Sequence, residues 1–203
     1  MLFPGVRTPL HIFEQRYRQM TRSALAGDRR IAMAVIRPDF LGDVAGDPPV
    51  FEIACAGTII ESEQLGDGRF HILLRGDERV RLLGEEPPGA GQLYRSARVQ
   101  RLVEECPADA SERIAAMRSR LAELVGDLLG TPGDAHLLGS AKGLDDRAFV
   151  NSLCAALPLA TPEKQGLLEM NDIPGRCHHL IEILEFMQAE GRRRRVPNSS
   201  ALH

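Results

Sequence analysis

Two strand-like runs joined by a tight turn constrain this chain more than any other feature. The runs are Phe51–Leu65 and Arg69–Leu74, and Asp67-Gly68 stands between them. This dipeptide favours the mirror-image turns that join antiparallel strands. One face of the hairpin is predicted to be core and the other partly wet, because three apolar residues alternate with three polar ones: Phe70, Ile72 and Leu74 with Arg69, His71 and Arg75.

A further strand is predicted directly after this hairpin. A second turn at Gly76-Asp77 should lead into Arg79–Leu83, with the arginines exposed and with Val80 and Leu82 buried. The sequence therefore predicts a meander of at least three antiparallel strands.

Two more apolar runs flank the meander. Ile31–Ile36 is continuous and rich in β-branched residues, which predicts a strand buried on both faces. Leu93–Glu104 has Ala97, Val99 and Val103 on one side, which predicts another strand. Between them, residues 40–49 are rich in Gly, Asp and Pro and predict an exposed loop. Five or six such strands around one helix indicate a small, partly closed β-barrel.

The opening of the chain combines a turn, an extended piece and a helix without spacers. Pro4-Gly5 indicates the turn, Thr8–Ile12 is expected to be extended, and Gly27 ends the helix. Four apolar residues follow helical spacing, namely Phe13, Tyr17, Met20 and Ala24. We predict that this face is buried and that Tyr17→Ala costs roughly 3 kcal/mol of stability.

Beyond Cys106-Pro107 the apolar period becomes helical. The predicted N-caps are Asp109, Asp145, Thr161 and Asp172. The predicted buried positions are Ile114, Met117, Leu121, Leu124 and Leu128, then Phe149, Leu153 and Ala156, then Ile173, Cys177, Leu180, Leu184 and Met187. We therefore divide the chain into a β-barrel at 1–105, a helical bundle at 106–191 and a basic, disordered tail at 192–203. The fold class is α+β.

Three stretches in one order carry a family resemblance. They are Phe3-Pro4-Gly5 with Pro9-Leu10-His11-Ile12-Phe13-Glu14, Arg16-Tyr17 and Met20, then residues 51–83, then residues 156–173. Together they resemble the N-terminal substrate-recognition domain of ATP-dependent Lon proteases, a domain that also occurs as a small stand-alone protein. The resemblance implies a PUA-like barrel with an embedded helix. It also implies binding of exposed apolar segments of client proteins.

Composition narrows the class of partner. The net charge is −3, and there are 2 Tyr, 7 Phe and no Trp, so neither a basic platform nor a set of stacking aromatics points to nucleic acid. No run reaches the length of a membrane span, and the start lacks the pattern of a signal peptide. The four cysteines are scattered and are expected to be buried and reduced. We expect a cytoplasmic protein.

No pattern of catalytic residues emerges. The glycines of residues 139–143 lack the spacing of a phosphate loop, and neither Lys142 nor Lys164 stands with a serine in a recognisable motif. Cys177-His178-His179 point in different directions on a helix and cannot converge on one metal. We predict a non-enzymatic chain without cofactor, metal or catalytic residues.

The opening motif has two interpretations. Phe3, Pro4, Gly5, Pro9, Phe13, Glu14, Arg16 and Tyr17 are taken as a structural motif. In that interpretation Phe13 and Tyr17 plug the barrel, while Glu14 and Arg16 tie the helix to neighbouring strands. In the alternative, the same helix helps to wall a groove for unfolded polypeptide.

The functional prediction is a polypeptide-recognition module that acts as adaptor or regulator in protein quality control. Its partners would be unfolded or partly folded polypeptides, bound in a groove between the 40–49 loop and residues 8–12. The predicted contacts are His11, Phe40 and Leu41. An open strand edge at that place could instead pair two copies as a homodimer. The alternatives from other classes are a small hydrolase and an RNA-binding module on a PUA-like barrel.

Overall fold

The computed structural model describes residues 1–40, 47–105, 111–129 and 143–195. The strands are β1 Arg7–Ile12, β2 Arg30–Met33, β3 Ile53–Gln64, β4 Phe70–Glu86 and β5 Ser96–Leu102. The helices are α1 Gln15–Ala26, α2 Ser111–Leu129, α3 Asp146–Ala156, α4 Thr161–Glu169 and α5 Ile173–Arg195, with a short 3-10 helix at Pro38–Phe40. The α+β class is confirmed.

The five strands form one antiparallel sheet in the order β1-β4-β3-β2, with β5 also on β4. The predicted hairpin is confirmed, because β3 pairs antiparallel with β4 across the Asp67-Gly68 turn. The long β4 carries β1 on its first half and β5 on its second half. Among the described residues no ladder joins β2 to β5, so the sheet is open.

The turn predicted at Gly76-Asp77 is wrong, because β4 continues through both residues as one strand. Gly57 pairs with Gly76 and Ala56 pairs with Glu78, which leaves Asp77 as the extra residue of a β-bulge. Gly76 fits there because a Cβ would come within 2.2 Å of the Phe3 carbonyl oxygen. The bulge thus bends β4 where the opening turn of the chain packs closely against it.

The prediction that residues 31–36 form a strand buried on both faces is wrong. β2 is an edge strand that pairs only with β3, and Ala32 and Ala34 are exposed while Ile31 is buried. Ile36 forms a separate bridge with Val50. An apolar run of small and β-branched residues can form such an edge strand. Packing in the core does not explain why the residues on its exposed side are apolar.

The described residues form two compact units that interleave along the sequence. The first comprises Met1–Glu104 and Asn151–Asn171, and the second comprises described residues of 105–150 and those after 171. The predicted bundle at 106–191 is therefore wrong as a single unit, because residues 151–171 belong with the sheet. The predicted tail is also too long, since α5 continues to Arg195.

Three buried polar side chains fasten residues 151–171 to the sheet. Arg79 donates from Nε to the Leu168 carbonyl oxygen at 2.6 Å and from a terminal nitrogen to the Glu169 carbonyl oxygen at 2.9 Å. Two buried side-chain amides of residues 151–171 also donate to backbone carbonyl oxygens of the first 104 residues. Gln165 Nε2 donates to the Ile53 oxygen and Asn151 Nδ2 to the Pro4 oxygen, both at 3.0 Å. Arg79 was predicted to be exposed, and this prediction is wrong because its side chain is fully buried.

The second unit is built on helices α2 and α5, which pack against each other. Its buried residues are Ile114, Leu121, Leu124, Val125, Ile173, Cys177, Leu180 and Leu184, which confirms most of the predicted stripes. Asp145 and Asp172 cap α3 and α5 by accepting backbone N–H bonds at 2.8 and 2.6 Å. The Thr161 cap is wrong because Ala160 occupies that position, and Asp109 lies outside the described residues.

Candidate functional site

A mostly apolar groove of about 550 Å³ on the first unit's described surface is of a size suited to binding. Residues of α1, β2, β4, β5 and the segment before β3 line it. The apolar lining residues are Tyr17, Met20, Ala24, Ile31, Ala32, Ala34, Ile36, Pro48, Val50, Leu82, Leu93, Ala97 and Val99. The groove therefore lies where the open sheet leaves its edge strands β2 and β5 without a common partner.

The groove brings together three exposed, large apolar side chains of the described residues. Tyr17, Leu93 and Val99 are 39%, 49% and 44% exposed, and all three line it. Scattered exposed apolar residues are normal, but a contiguous set around a concave surface is typical of an interaction site. One wall of the groove has small side chains, Ala32 on β2 and Ala34 just after it. A ligand could approach the backbone there.

Two glutamine side chains hold the loop that carries Leu93. The Gln19 amide on α1 donates to the Gly91 carbonyl oxygen at 2.8 Å and accepts from the Leu93 backbone N–H at 2.7 Å. Gln92 accepts from the Gly89 backbone N–H at 3.2 Å and donates to the Tyr94 carbonyl oxygen at 2.8 Å. Sequence patterns did not indicate these residues, because their partners are backbone atoms of an irregular loop.

The cations that line the groove are partnered within the chain. Arg16 pairs with Glu14 at 2.9 Å. Arg30 pairs with Glu78, and Arg95 pairs with Glu85 while also donating to the Pro48 carbonyl oxygen at 2.8 Å. The hydrogen bond from Arg95 holds the pKa of Glu85 below its usual value. The groove therefore offers neither an unpaired cation nor a titrating acid–base pair among these groups.

Glu78 connects the two edge strands that flank the groove. Its carboxylate pairs with Arg30 of β2 and with Arg101 of β5. Burial disfavours the charged carboxylate, but hydrogen bonds from the two guanidinium groups outweigh that effect and lower the pKa of Glu78. One carboxylate thus fixes the separation of strands that share no ladder.

We expect Glu78→Gln to remove a stabilising contribution that the wild type has at neutral pH. Because the folded pKa of Glu78 is depressed, the contribution is present above the unfolded pKa and is lost as pH falls through the folded pKa. Both arginines are well exposed, so the loss at pH 7 should be about 1 kcal/mol. Urea unfolding at pH 7 and at pH 3 measures it, and the two proteins should differ less at pH 3. An equal difference at both pH values would contradict the role of the charge.

A smaller cavity of about 250 Å³ adjoins the groove. The two share Val50, Leu82, Glu85 and Arg95, and Phe51 lines the smaller one. The Arg37 guanidinium lies 5.9 Å from the Phe51 ring centroid. The shared residues make the cavity a side pocket of the groove, large enough for one apolar side chain.

The predicted contact residues lie elsewhere. His11 is on β1, where its ring packs against Phe13 and His71 at centroid distances of 6.0 and 4.9 Å. Phe40 ends the 3-10 helix and is 42% exposed. Neither lines the groove, and Leu41 lies outside the described residues. Of the described residues of the predicted loop, Asp47 and Pro48 line the groove.

The prediction that Phe13 and Tyr17 plug the barrel is wrong. Phe13 is 60% exposed and precedes α1, while Tyr17 is 39% exposed and faces the groove. The side chains that fill the core beside them are Leu2, Phe3 and Ile12. Of the other motif residues, Pro4 is buried, whereas Gly5 and Pro9 are exposed. The spacing of apolar residues correctly identified the apolar face of α1. This face lines the groove instead of packing into the core.

Glu14 and Arg16 form an ion pair with each other across two residues. The Arg16 guanidinium lies 4.8 Å from the Tyr17 ring centroid and so fixes the ring at the groove wall.

We therefore expect Tyr17→Ala to cost about 1 kcal/mol, well below the 3 kcal/mol of a buried aromatic. Phe13→Ala serves as the matched control, because both residues are exposed aromatics in the same segment. Chemical denaturation of both variants measures this. A loss near 3 kcal/mol for Tyr17 alone would show that the ring is core.

The cysteines and the two neighbouring histidines do not form a catalytic or metal site among the described residues. Cys55, Cys154 and Cys177 are buried, and burial raises the pKa of the Cys177 thiol to about 12. Cys106 lies outside the described residues.

His178 and His179 both lie against the exposed Glu182 carboxylate, at 3.5 and 3.0 Å. In the described part of the chain no group of three or more ligating residues could hold a metal. None of its helices is long and apolar enough to cross a membrane.

Comparison with known proteins decides the family. A family model of the ATP-dependent protease La (LON) substrate-binding domain matches residues 1–185. The chain belongs to this family. This confirms the resemblance inferred from the opening motif, the central hairpin and residues 156–173.

Curated relatives and solved structures agree with this family. The Lon protease of Escherichia coli (strain K12) is 25% identical over 198 residues, which are 95% of this chain and 25% of that protein. The Lon protease of Parabacteroides distasonis is 26% identical over 192 residues, 91% of this chain and 22% of that protein. The chain thus spans about a quarter of the length of the curated relatives it matches.

Two solved structures share the fold. The N-terminal domain of Mycobacterium avium complex Lon protease matches with a TM-score of 0.69 and 17% identity, covering 91% of this chain and 92% of that one. The Lon N-terminal domain protein from Xanthomonas campestris matches with a TM-score of 0.56 and 19% identity, covering 89% and 91%.

Proposed function

We propose that this chain is a non-enzymatic polypeptide-recognition module that binds exposed apolar segments of unfolded or partly folded proteins. The observation that carries the proposal is the groove of about 550 Å³ with Tyr17, Leu93 and Val99 exposed along it. Membership of a family of substrate-binding domains supports the same class of partner.

The chemistry of the groove supports binding rather than catalysis. Its lining includes no histidine, cysteine or lysine, and its arginines are in ion pairs. A hydrolase would need a nucleophile and a base within hydrogen-bond distance of each other. The hydrolase and RNA-binding alternatives gain no support from such a surface.

The biological role we propose is that of an adaptor or regulator in cytoplasmic protein quality control. The chain would hold a client without processing it. We expect the purified protein to turn over neither ATP nor casein above a heat-inactivated control. We also keep the PUA-like, partly closed barrel as the expected description of the sheet.

Binding of a permanently unfolded protein tests the proposal. We expect reduced, carboxymethylated α-lactalbumin to bind, and native α-lactalbumin not to bind, in a fluorescence anisotropy titration. Tyr17→Ala and Leu93→Ala should each weaken binding about tenfold, since each removes an exposed apolar contact from the groove. Phe13→Ala is the matched control and should bind like the wild type.

Phe40→Ala and His11→Ala test the site predicted from the sequence. Unchanged binding by both places the client in the groove. If these two variants lose affinity and the groove variants do not, the client binds beside β1 and the groove assignment is wrong. If the unfolded protein does not bind at all, the proposed function itself is wrong.

A further inference from the structure

We infer that the client binds as an added β-strand on the free edge of β2, with uncharged, apolar side chains in the groove. This inference rests on the proposed function and specifies the conformation and the chemistry of what the groove accepts. The argument uses the hydrogen-bond phase of β2, the small residues along it and the charge balance of the groove.

The phase of the β2·β3 ladder shows which backbone groups of β2 are available. Arg30 pairs with Thr58, and the Ile59 N–H donates to the Arg29 carbonyl oxygen at 2.8 Å. In an antiparallel pair, alternate residues direct both backbone groups toward the partner strand. The backbone groups of Ile31 therefore point toward β3, whereas those of Arg30 and its second neighbour point away from the sheet. The Arg30 N–H already donates to Asp28 Oδ1 at 3.0 Å, so the second neighbour supplies the outward N–H that an added strand would use.

That second neighbour, Ala32, lines the groove and is exposed. Its outward N–H and C=O groups have no strand partner in the described part of the chain, because β2 pairs only with β3. Ala34, also in the lining, continues the row of small side chains. Such a wall lets another backbone come within hydrogen-bond distance, which a wall of large side chains would prevent.

The charges of the groove specify the kind of segment. Arg16, Arg30 and Arg95 are each in an ion pair with a glutamate of the chain. An anionic ligand would compete with these carboxylates, and a cationic ligand would compete with the guanidinium groups. Asp47 also lines the groove and interacts electrostatically with Arg95. Apart from Ser23 and Ser96, the rest of the lining is mostly apolar. Charge complementarity thus favours a neutral segment, and the side pocket beside Phe51 accepts one apolar side chain.

Two methylated peptides test strand addition on the wild-type protein. The parent probe is a capped, fluorescent decapeptide that alternates valine and serine. One derivative carries N-methyl groups on the valines, and the other carries them on the serines. Alternate N–H groups of a strand point to the same edge, so each derivative blocks one edge only.

Strand addition predicts that one derivative loses at least tenfold in affinity while the other binds like the parent. Equal affinities for both derivatives overturn the inference, and the proposed function survives if carboxymethylated α-lactalbumin still binds in the groove. If neither the parent peptide nor the unfolded protein binds, both proposals are wrong. A version with two valines replaced by glutamate should bind at least tenfold more weakly than the parent.

A protein variant tests the same contact from the other side. Ala32→Pro removes an N–H that points away from β3, a position where an edge strand tolerates proline. We expect the proline variant to bind the parent peptide at least tenfold more weakly than the wild type does. Equal binding by the folded proline variant and the wild type overturns the inference, and the methylated pair decides the matter should the proline variant fail to fold.

Amide hydrogen exchange identifies the occupant of the edge. With the parent peptide, the Ala32 amide should gain protection. The amides of Ile31 and Met33, already turned toward β3, should change little, and so should that of Arg30, which donates to Asp28 Oδ1. Protection that rises with protein concentration in the absence of peptide would show a second copy at the edge and overturn the inference. Protection confined to residues 8–12 would place the peptide on β1 and overturn it as well.

Discussion

Replacing Arg79 by leucine is expected to lower the free energy of unfolding by about 3 to 5 kcal/mol. The guanidinium is fully buried and donates to the carbonyl oxygens of Leu168 and Glu169 and to Asn171 Oδ1 at 3.0 Å. These two carbonyls end α4 and have no further turn of helix to accept from. Leucine would fill part of the volume but leave buried acceptors without donors.

Arg81→Leu is the matched control, because Arg81 lies two residues along β4 and is exposed. It should change the stability by less than about 0.5 kcal/mol. Arg79→Lys should be intermediate, since an ammonium group keeps the charge without the planar fork that reaches several acceptors. Urea denaturation compares all three, and equal midpoints for Arg79→Leu and Arg81→Leu would contradict the role assigned to the buried guanidinium.

Gly76→Ala is expected to destabilise the first unit by about 3 kcal/mol or more, as a substitution that forces backbone atoms apart. The added Cβ would lie 2.2 Å from the Phe3 carbonyl oxygen and 2.8 Å from its carbonyl carbon. Because both are backbone atoms, no side-chain rotation relieves the overlap. Moving them would break the Gly5 N–H bond to the Gly76 carbonyl oxygen and the Gly76 N–H bond to the Val6 carbonyl oxygen, both 2.8 Å.

Gly66→Ala provides the control, because a Cβ there meets no atom within 4 Å. Its stability should match that of the wild type within about 0.5 kcal/mol. Thermal and urea unfolding of both variants measures the difference. A wild-type midpoint for Gly76→Ala would mean that the opening turn is not held against the bulge.

Local patterns predicted the elements whose signal lies within their own residues. The Asp67-Gly68 hairpin, the extended residues after the opening turn and the stripe of α2 all appear as expected. The partner is consecutive only for the hairpin, since β1 pairs with β4 and α2 packs on α5. Hydrophobic periodicity and turn chemistry are sufficient there.

The same sequence patterns gave wrong predictions where contacts with a segment distant in sequence determine the conformation or burial of a residue. Gly76-Asp77 has the composition of a turn, but the close approach of Phe3 makes it a bulge. Arg79 alternates with apolar residues as an exposed residue would, yet its acceptors lie 89 and more residues away. Nothing in a single sequence gives the position of such an acceptor.

The groove was predicted in kind but not in place. The sequence indicated an open strand edge and a helix that walls it, but it placed the groove at β1. The structure places the apolar concavity beside β2 and β5, where Tyr17 and Leu93 contribute. The spacing of apolar residues shows which face of a helix is apolar, but it does not show whether other side chains pack against that face. A helix beside the core and a helix beside an open groove therefore have the same sequence pattern.

The interleaved order of the two units has a consequence for synthesis. The strands are complete at Leu102, but residues 151–171, which hold the acceptors of Arg79 and the buried Leu167 and Leu168, follow about 70 residues later. At ~5–20 residues per second the ribosome needs roughly 4 to 14 s for that distance. For this interval the nascent sheet keeps an apolar surface that only its own later sequence can cover. The time of exposure to chaperones is therefore set by translation rather than by strand pairing.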